Sequence, residues 1–416
     1  MAAAAPIDAP RVIADLHELA RRTGDARGAQ RICWGERWRE AREFAAGLLA
    51  EFGVAPERDE AGNVWARLEG ADAGAPALVV GSHLDSVPDG GWLDGALGVL
   101  AGVGALRAWA EAGPPPRPLV LVDWADEEGA RFGRSLFGSS AFSGTLDPGA
   151  VRDLCDAEGT ALERALAENG VELDRVLDAG RRAAGLGHYL ELHIEQGPVL
   201  ESEGVAVSAV AGCAGVERLR LWFHGQTAHA GTTPMGDRRD AGLAAAATAL
   251  AIERIVADHG GVGTTGDLKL RPGIPTAVPG EAELSCDIRH RDAAELGEMF
   301  AAVRAAAVEE ASLRGCEMVE EQIWRIEPIP FDPDLVALAT AAAVEAGGRT
   351  EPLTSGALHD AAEVARVLPA AMMFCASKRG LSHAVEEDTD EADLGVAIEA
   401  FGELVNRAIT GGASGG

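Results

Sequence analysis

The sequence predicts an α/β protein: an α/β/α domain with a mixed sheet, into which an α+β domain of ferredoxin-like type is inserted. Over the first 210 residues, short apolar runs alternate with helical patterns. Between residues 211 and 326, apolar and polar residues alternate, as in half-exposed antiparallel strands. From about residue 327 the first pattern resumes. We therefore expect a discontinuous domain of residues 1–210 plus 327–416 and an inserted domain of residues 211–326.

The helices and strands of the first domain are predicted from the spacing of apolar residues and from the glycines and prolines that end them. Residues 118–124 are apolar apart from one aspartate, which is typical of a buried parallel strand. The Gly- and Ala-rich helix that starts near residue 96 ends at a glycine followed by a proline run. In chain order the predicted elements are helical residues 10–54, strands 63–68 and 77–80, helix 96–112, strand 118–124, helical residues 150–185 and strand 189–193.

The inserted domain has a different order of elements. The segment GCAGVERLRLWFHGQTAHAG has the alternation of an antiparallel strand. A long Ala-rich helix over residues 238–257, strands at 268–271 and 282–289, and a helix over 293–313 follow. This order is β-α-β-β-α-β and predicts an α+β fold of about 115 residues.

Composition excludes several classes of protein. A chain of 416 residues with 47 % hydrophobic residues and mean hydropathy near zero is large enough for two buried cores. The formal charge of −30 argues against nucleic acid or an anionic membrane surface as partner. Runs of about 18 uncharged apolar residues, which a membrane span needs, are absent. Six scattered cysteines without a CxxC pair are typical of reduced thiols, so we expect a cytoplasmic protein.

Five candidate metal ligands, three histidines and two carboxylates, lie close to apolar runs in Gly-punctuated segments: His83, Asp94, Glu128, His193 and His383. Such a set suits zinc, cobalt or manganese. Ligands this far apart in sequence meet only in a folded core, as a catalytic metal site requires.

Each candidate also has a simpler interpretation. A single histidine in an α/β core is more often a structural residue, and Asp94 could cap the helix that follows it. Glu127 and Glu128 could be a solvated pair, but adjacent carboxylates at the end of a buried strand repel each other unless a cation is present. Asp85 lies two residues after His83, where a strand would place both on the same face, so it is a candidate to hold that imidazole.

With these motifs the chain resembles a known family. GSHLDSVPDGG, EEGARF, GSSAFSG, ELHIEQGPVLE, HAGTTPM, RRDAG and SGALHDA occur in the family's order between about residues 10 and 408. The resemblance is to the N-carbamoyl-L-amino-acid hydrolase, allantoate amidohydrolase and β-ureidopropionase branch of the dinuclear zinc aminoacylase and carboxypeptidase G superfamily. HIEQGPVLE together with HAGTTPM is specific to this branch.

The resemblance implies two divalent metal ions per chain, either Zn, Mn or Co. It implies that His83 and His193 hold one ion and that Glu128 and His383 hold the other. Asp94 would bridge the two ions, with Glu127 as the general base.

For the substrate, a small carboxylate, the resemblance implies contacts from Gln196, His229 and Arg289. His229 would stabilise the oxyanion, and Arg289 would pair with the substrate carboxylate. The inserted domain would form a homodimer and close over the substrate. The expected reaction is hydrolysis of the C–N bond of an N-carbamoyl or ureido compound.

Three departures from the family pattern concern specificity. Thr276 stands where relatives have an asparagine that contacts the substrate, and SGALHDA has Leu358 where relatives have glycine. The segment FCASKRG replaces the usual FVPS. His359 either shapes the substrate loop or caps a helix. The alternatives are an N-acyl amino acid deacylase or dipeptidase, and an inactive binding protein.

Overall fold

The computed structural model describes residues 5–411, and these separate into two compact units. The first unit runs up to Gly212 and resumes at Pro330, and the second is Cys213–Ile329. The strands are β1 (Gly24–Asp25), β2 (Gly28–Ala29), β3 (Pro56–Arg58), β4 (Val64–Leu68), β5 (Ala77–His83), β6 (Leu119–Trp124), β7 (Leu186–Ile194), β8 (Val207–Cys213), β9 (Gly215–His224), β10 (Ala228–His229), β11 (Val262–Arg271), β12 (Ala277–Val278), β13 (Glu281–His290), β14 (Glu317–Ile326), β15 (Ile329–Pro330), β16 (Leu353–Ser355) and β17 (Ala370–Cys375).

The helices are α1 (Ala9–Thr23), α2 (Glu36–Ala50), α3 (Ala96–Ala112), α4 (Phe137–Ser143), α5 (Pro148–Val151), α6 (Leu162–Glu168), α7 (Val199–Glu203), α8 (Ala241–Asp258), α9 (Ala293–Leu313), α10 (Pro333–Glu345), α11 (Asp360–Val364) and α12 (Glu391–Thr410). 3₁₀ segments cover Leu173–Ala183, Met235–Asp237 and Lys378–Gly380. Within the described residues, none of the helices is long and apolar enough to cross a membrane. All six cysteines lie in this range and are free thiols.

The first unit is built on a mixed sheet in the order β15-β8-β17-β7-β5-β6-β4-β3, with β16 beside β8. Its centre is parallel: β5 pairs with β6 and β7, and β7 pairs with β17. The flanking pairs β8–β17, β4–β6 and β3–β4 are antiparallel. Strands β5, β6 and β17 are buried at every residue. Continuous burial explains why these segments are largely apolar in sequence.

Two apolar clusters hold most of the helices of this unit. One cluster joins α1, α2, α3, α10 and α12 to alternate residues of β5, β7 and β17. The other joins α4, α6 and the 3₁₀ segment Leu173–Ala183. The predicted α/β class with a mixed sheet is confirmed.

The second unit has a four-stranded antiparallel sheet in the order β11-β13-β9-β14. Its chain order, β9-α8-β11-β13-α9-β14, is the predicted β-α-β-β-α-β arrangement. Aspartate side chains cap both helices: Asp240 accepts the N–H of Leu243, and Asp292 accepts those of Ala294 and Glu295. The apolar faces of α8 and α9 meet the alternate buried residues of β9 and β13.

Two predicted helical stretches are interrupted. Residues 10–54 form α1 and α2, separated by the β1–β2 hairpin, because the polar, Gly-containing segment TGDARGA offers no apolar face. Residues 150–185 form α6 and the 3₁₀ segment Leu173–Ala183 after the last residues of α5. Gly159 and Gly170, both with positive φ, lie in the breaks between them.

Candidate metal centre

Parallel strands bring the predicted ligands to one edge of the first unit's sheet. β5 ends at His83, β6 ends three residues before Glu127, β7 carries His193, and β17 ends eight residues before His383. The register places His83 opposite Trp124 and His193 opposite Phe374, so these strand ends are level. Functional residues of open α/β sheets gather at this carboxyl edge.

Asp94 lies at the centre of the cluster. Its Oδ1 is 3.2 Å from His193 Nε2 and 3.7 Å from His83 Nε2, and its Oδ2 is 3.5 Å from His383 Nε2. His383 Nε2 is also 3.5 Å from Glu128 Oε2. Two sets of potential ligand atoms result, His83–Asp94–His193 and Asp94–Glu128–His383, and they share Asp94.

Backbone carbonyls prepare two of the imidazoles for ligation. The Nδ1 atom of His193 lies 3.0 Å from the Ile194 carbonyl oxygen, and that of His83 lies 3.2 Å from the Asp85 carbonyl oxygen. A carbonyl only accepts hydrogen bonds, so Nδ1 carries the proton in both rings. The lone pair of Nε2 then faces Asp94, which is the tautomer that a metal ligand requires.

The donor set fits a divalent cation. Glu128 Oε1 is buried and has no hydrogen-bond partner within the described residues. Burial and neighbouring charge, first from Asp360 at Glu127 and from Asp94 at Glu128, raise the pKa of both glutamates well above the usual range. Crowded buried carboxylates are stabilised in ionised form by a cation, and imidazole nitrogen with carboxylate oxygen suits zinc or a similar metal.

Glu127, the predicted base, lies beside the first set of ligands. Its Oε2 is 3.7 Å from His83 Nε2. The backbone N–H groups of Glu127 and Glu128 donate to Asp85 Oδ1 at 3.2 Å and to Asp85 Oδ2 at 3.1 Å. Asp85 therefore contacts His83 through its carbonyl oxygen rather than through its carboxylate, which is 3.7 Å away. Strand β5 ends at His83, so the strand alternation behind that prediction does not extend to Asp85.

Helix α3 begins at Ala96 with Gly95 as its N-cap, so Asp94 does not cap the helix. Gln196, predicted to contact substrate, donates from Nε2 to Asp94 Oδ2 at 2.8 Å. Both Gln196 and His383 have left-handed backbone conformations, with φ of 57° and 55°. Strained backbone of this kind persists only where surrounding contacts hold it, and it is frequent at functional sites.

His359 is buried against the centre. Its Nε2 lies 2.9 Å from Ser355 Oγ, and its ring centroid is 4.4 Å from that of His193. The residue stands at the N-cap of α11, but its side chain makes no capping hydrogen bond. Between the two predicted roles, these contacts favour shaping the site over capping.

The other predicted substrate residues lie in the second unit. β10 and β12 pair His229 with Ala277, and the Ala230 N–H donates to the Thr276 carbonyl oxygen at 2.9 Å, so Thr276 and His229 are close neighbours. The Gly231 N–H donates to His229 Nδ1 at 3.0 Å. This hydrogen bond makes Nδ1 the acceptor and leaves the proton on Nε2, so the exposed imidazole presents an N–H donor.

Arg289 lies on β13, where its Nε donates to Asp287 Oδ1 at 2.7 Å and its Nη2 donates to Asp287 Oδ2 at 3.2 Å. Arg218 also donates to Asp287 Oδ2, at 2.7 Å. Asp287 therefore holds the guanidinium in one orientation. In the segment FCASKRG, Lys378 is also paired with a nearby carboxylate, since its Nζ is 3.0 Å from Asp390 Oδ1.

Several residues at the centre were not predicted. Glu387 and Ser382 contact the Asp94 loop, and the fully buried Arg31 donates from Nε to the Leu84 carbonyl oxygen at 2.7 Å. The Nη atoms of Arg31 have no hydrogen-bond partner among the described residues. Its charge is attracted by four acidic groups, Glu387, Asp94, Asp85 and Glu128. Only its position, and no motif, distinguishes Arg31 from the other arginines of the chain.

A further cluster of potential ligands, Glu191 with His193 and His359, is buried behind the centre. Glu191 Oε1 accepts from Ser82 Oγ at 2.7 Å, while Oε2 accepts from Tyr189 and from the Ala361 N–H. Because both oxygens already accept hydrogen bonds, this carboxylate supports β7 and α11 rather than a third ion.

Gly95 is a test of how closely the centre is packed. Its φ is 65°, and a Cβ there would overlap the His83 ring and carbonyl oxygen. Gly95→Ala is expected to lower the free energy of unfolding by about 3 kcal/mol, from backbone strain and overpacking together. Gly53→Ala is the matched control, since Gly53 has φ of 79° but open space around a Cβ, and should cost about 1 kcal/mol. Urea unfolding measures both, and equal costs would contradict the packing argument.

Known proteins resemble this chain both in sequence and in fold. The sequence model of peptidase family M20/M25/M40 matches residues 79–407. An N-carbamoyl-L-amino acid amidohydrolase of Geobacillus stearothermophilus is 36 % identical over 90 % of this chain and 92 % of its own length. An allantoate amidohydrolase of Bacillus subtilis is 33 % identical over 91 % and 92 %. The crystal structure of a hydantoinase/carbamoylase family amidase from Burkholderia ambifaria has a TM-score of 0.89 and 35 % identity, and covers 99 % of this chain and 100 % of that one.

Proposed function

The chain belongs to peptidase family M20/M25/M40 and is a hydrolase that acts on C–N bonds, and on that premise we propose its substrate and mechanism. The proposed reaction is hydrolysis of a small N-carbamoyl or ureido carboxylate to amine, CO2 and ammonia. An N-carbamoyl-L-amino acid is the first candidate, and allantoate or β-ureidopropionate comes next. The two named relatives, an N-carbamoyl-L-amino acid amidohydrolase and an allantoate amidohydrolase, support this class of substrate.

The observation that carries the proposal is the position of Asp94 between two sets of ligand atoms. We propose that His83 and His193 hold one divalent ion, that Glu128 and His383 hold a second, and that Asp94 is common to both. Zn, Mn and Co all suit these donors. When bound, two such ions would lower the pKa of a water molecule and polarise the scissile carbonyl group.

Glu127 is the proposed proton carrier. Its carboxylate lies among the ligands and is nearly buried, while Asp85 fixes its backbone. It would take the proton of the attacking water and deliver it to the nitrogen of the leaving amine. The released carbamate would then decompose to CO2 and ammonia.

Five residues are proposed to act on the substrate. Gln196, Thr276, His229 and Arg289 are the proposed contacts, and His359 is proposed to shape the pocket. His229 presents the N–H donor that an oxyanion requires, because Gly231 occupies its other nitrogen. Arg289, whose guanidinium is oriented by Asp287, is the proposed partner of the substrate carboxylate. We also propose that two copies of this chain form a homodimer.

The substrate class can be tested with protein reconstituted separately with Zn, Mn and Co. We expect ammonia and amine in equal amounts from one member of a panel of N-carbamoyl-L-amino acids, allantoate and β-ureidopropionate. Ammonia release and ninhydrin-reactive amine are measured on the same samples. The product ratio identifies the bond that is cleaved.

N-acetyl amino acids and dipeptides serve as the comparison substrates. Amine without ammonia from these compounds would contradict carbamoyl hydrolysis and support a deacylase or dipeptidase, to which the change at Thr276 could contribute. No turnover of any compound by protein with bound metal would contradict the substrate proposal altogether.

A further inference from the structure

Glu387 is a buried carboxylate in a loop whose other residues are mostly exposed or half-buried. It is 2 % exposed, whereas the adjacent Glu386 lies on the surface. Its Oε1 accepts the backbone N–H groups of Leu93 and Asp94 at 3.1 and 3.0 Å. Because these donors are nearly 300 residues away along the chain, the contact joins two loops that only the folded protein brings together.

The other oxygen of Glu387 reaches the same aspartate by way of a hydroxyl group. Ser382 Oγ lies 2.9 Å from Glu387 Oε2 and 3.0 Å from Asp94 Oδ2. Glu387 thus holds the backbone of Asp94 directly. Ser382 lies between the two carboxyl groups, where its single hydroxyl proton is donated to one of them at a time.

The two loops are packed against each other with little free space. A Cβ at Gly91 would overlap the carboxyl group of Glu387, so only glycine lets the backbone approach this closely. His383 follows Ser382 directly and has a left-handed φ of 55°. Contacts on both sides of His383, at Ser382 and at Glu387, hold a backbone conformation that is costly for a residue with a side chain.

We propose that Glu387 and Ser382 form a brace that positions Asp94 and His383 for metal binding, with Glu387 as the positioning residue. This inference rests on the proposed metal centre. Neither residue supplies a ligand atom in the proposed arrangement. They determine where two of the five ligands point, and loss of such partners typically weakens metal binding 10–100-fold.

Cobalt(II) is the probe, because its visible absorption reports ligand geometry and its affinity can be measured by competition with a chromophoric chelator. Glu387→Ala is expected to bind cobalt about 10–100-fold more weakly than wild type, with an altered absorption spectrum. Glu387→Gln keeps an oxygen that can accept from Leu93 and Asp94 and is expected to retain nearly all of the affinity. Glu386→Ala removes the same charge one position away and should bind as wild type does.

The outcomes separate the brace from its alternatives. Unchanged affinity and spectrum in Glu387→Ala would overturn the proposal. So would a Glu387→Gln protein as weak as Glu387→Ala, which would assign the effect to charge. If Glu387→Ala does not fold, Ser382→Ala decides: weaker cobalt binding supports the brace and unchanged binding overturns it. A folded wild-type protein that binds no cobalt would instead refute the proposed metal centre.

Discussion

Glu127→Gln is expected to lower kcat by about 10³-fold while the protein keeps its bound metal. The amide has the size of the carboxylate but cannot accept the proton of the attacking water. Its backbone N–H would still donate to Asp85, and its side chain would still lie beside His83. Steady-state kinetics and metal analysis by mass spectrometry on one preparation measure both quantities.

A matched control separates the loss of the base from the loss of a charge. Glu43→Gln changes an exposed glutamate on α2 and should leave kcat and metal content unaltered. Full activity in Glu127→Gln would remove this residue from the role of base. A preparation that has lost its metal would assign the defect to binding instead of proton transfer.

The gathering of the ligands was predictable in part, because two of the predicted ligands, His83 and Glu128, follow a local pattern. An apolar run that ends in histidine or in adjacent glutamates indicates a buried strand followed by a polar loop, as at β5 and β6. Parallel strands direct such ends to the same edge of the sheet. The sequence pattern therefore indicates that His83 and Glu128 lie at one edge of the sheet, even before the strand order is known.

The residues that support these ligands left no comparable signal. Glu387 belongs to the acidic run EED, in which no feature of spacing separates it from Glu386. Its contacts depend on how the loop after β17 folds back onto the loop after β5. Asp85 shows the same limit. Strand β5 ends at His83, and beyond it the Asp85 carboxylate accepts the N–H groups of Glu127 and Glu128 instead of holding the His83 ring. Irregular loops have no period, so sequence patterns cannot give their side-chain directions.

In the second unit, the sequence pattern predicted the order of helices and strands but not the contacts between side chains. Alternating residues predicted the β-α-β-β-α-β order, which the structure confirms. They did not predict that Gly231 fixes the tautomer of His229, or that Asp287 holds both Arg218 and Arg289. Such pairings join neighbouring strands or turns, and they follow from register and turn geometry rather than from composition.

Asp94→Asn is expected to have the largest effect on metal content. The aspartate is common to both sets of ligand atoms, and an asparagine offers one neutral oxygen in place of two charged ones. We therefore expect both ions to be lost in dialysis and activity to fall with them. His383→Ala removes a ligand from one set only, so that variant should retain about one ion per chain.

The metal contents of these two variants are compared with each other, because metal loss in one variant alone could follow from any damage to the centre. Asp89→Asn is the control: it lies in the same loop, is exposed, and has a left-handed φ of 57° that asparagine tolerates. It should bind as wild type does. Equal metal content in Asp94→Asn and His383→Ala, measured after equilibrium dialysis, would mean that Asp94 serves only one ion. A bridging carboxylate requires the ordered result, in which Asp94→Asn binds least, His383→Ala binds an intermediate amount and Asp89→Asn binds fully.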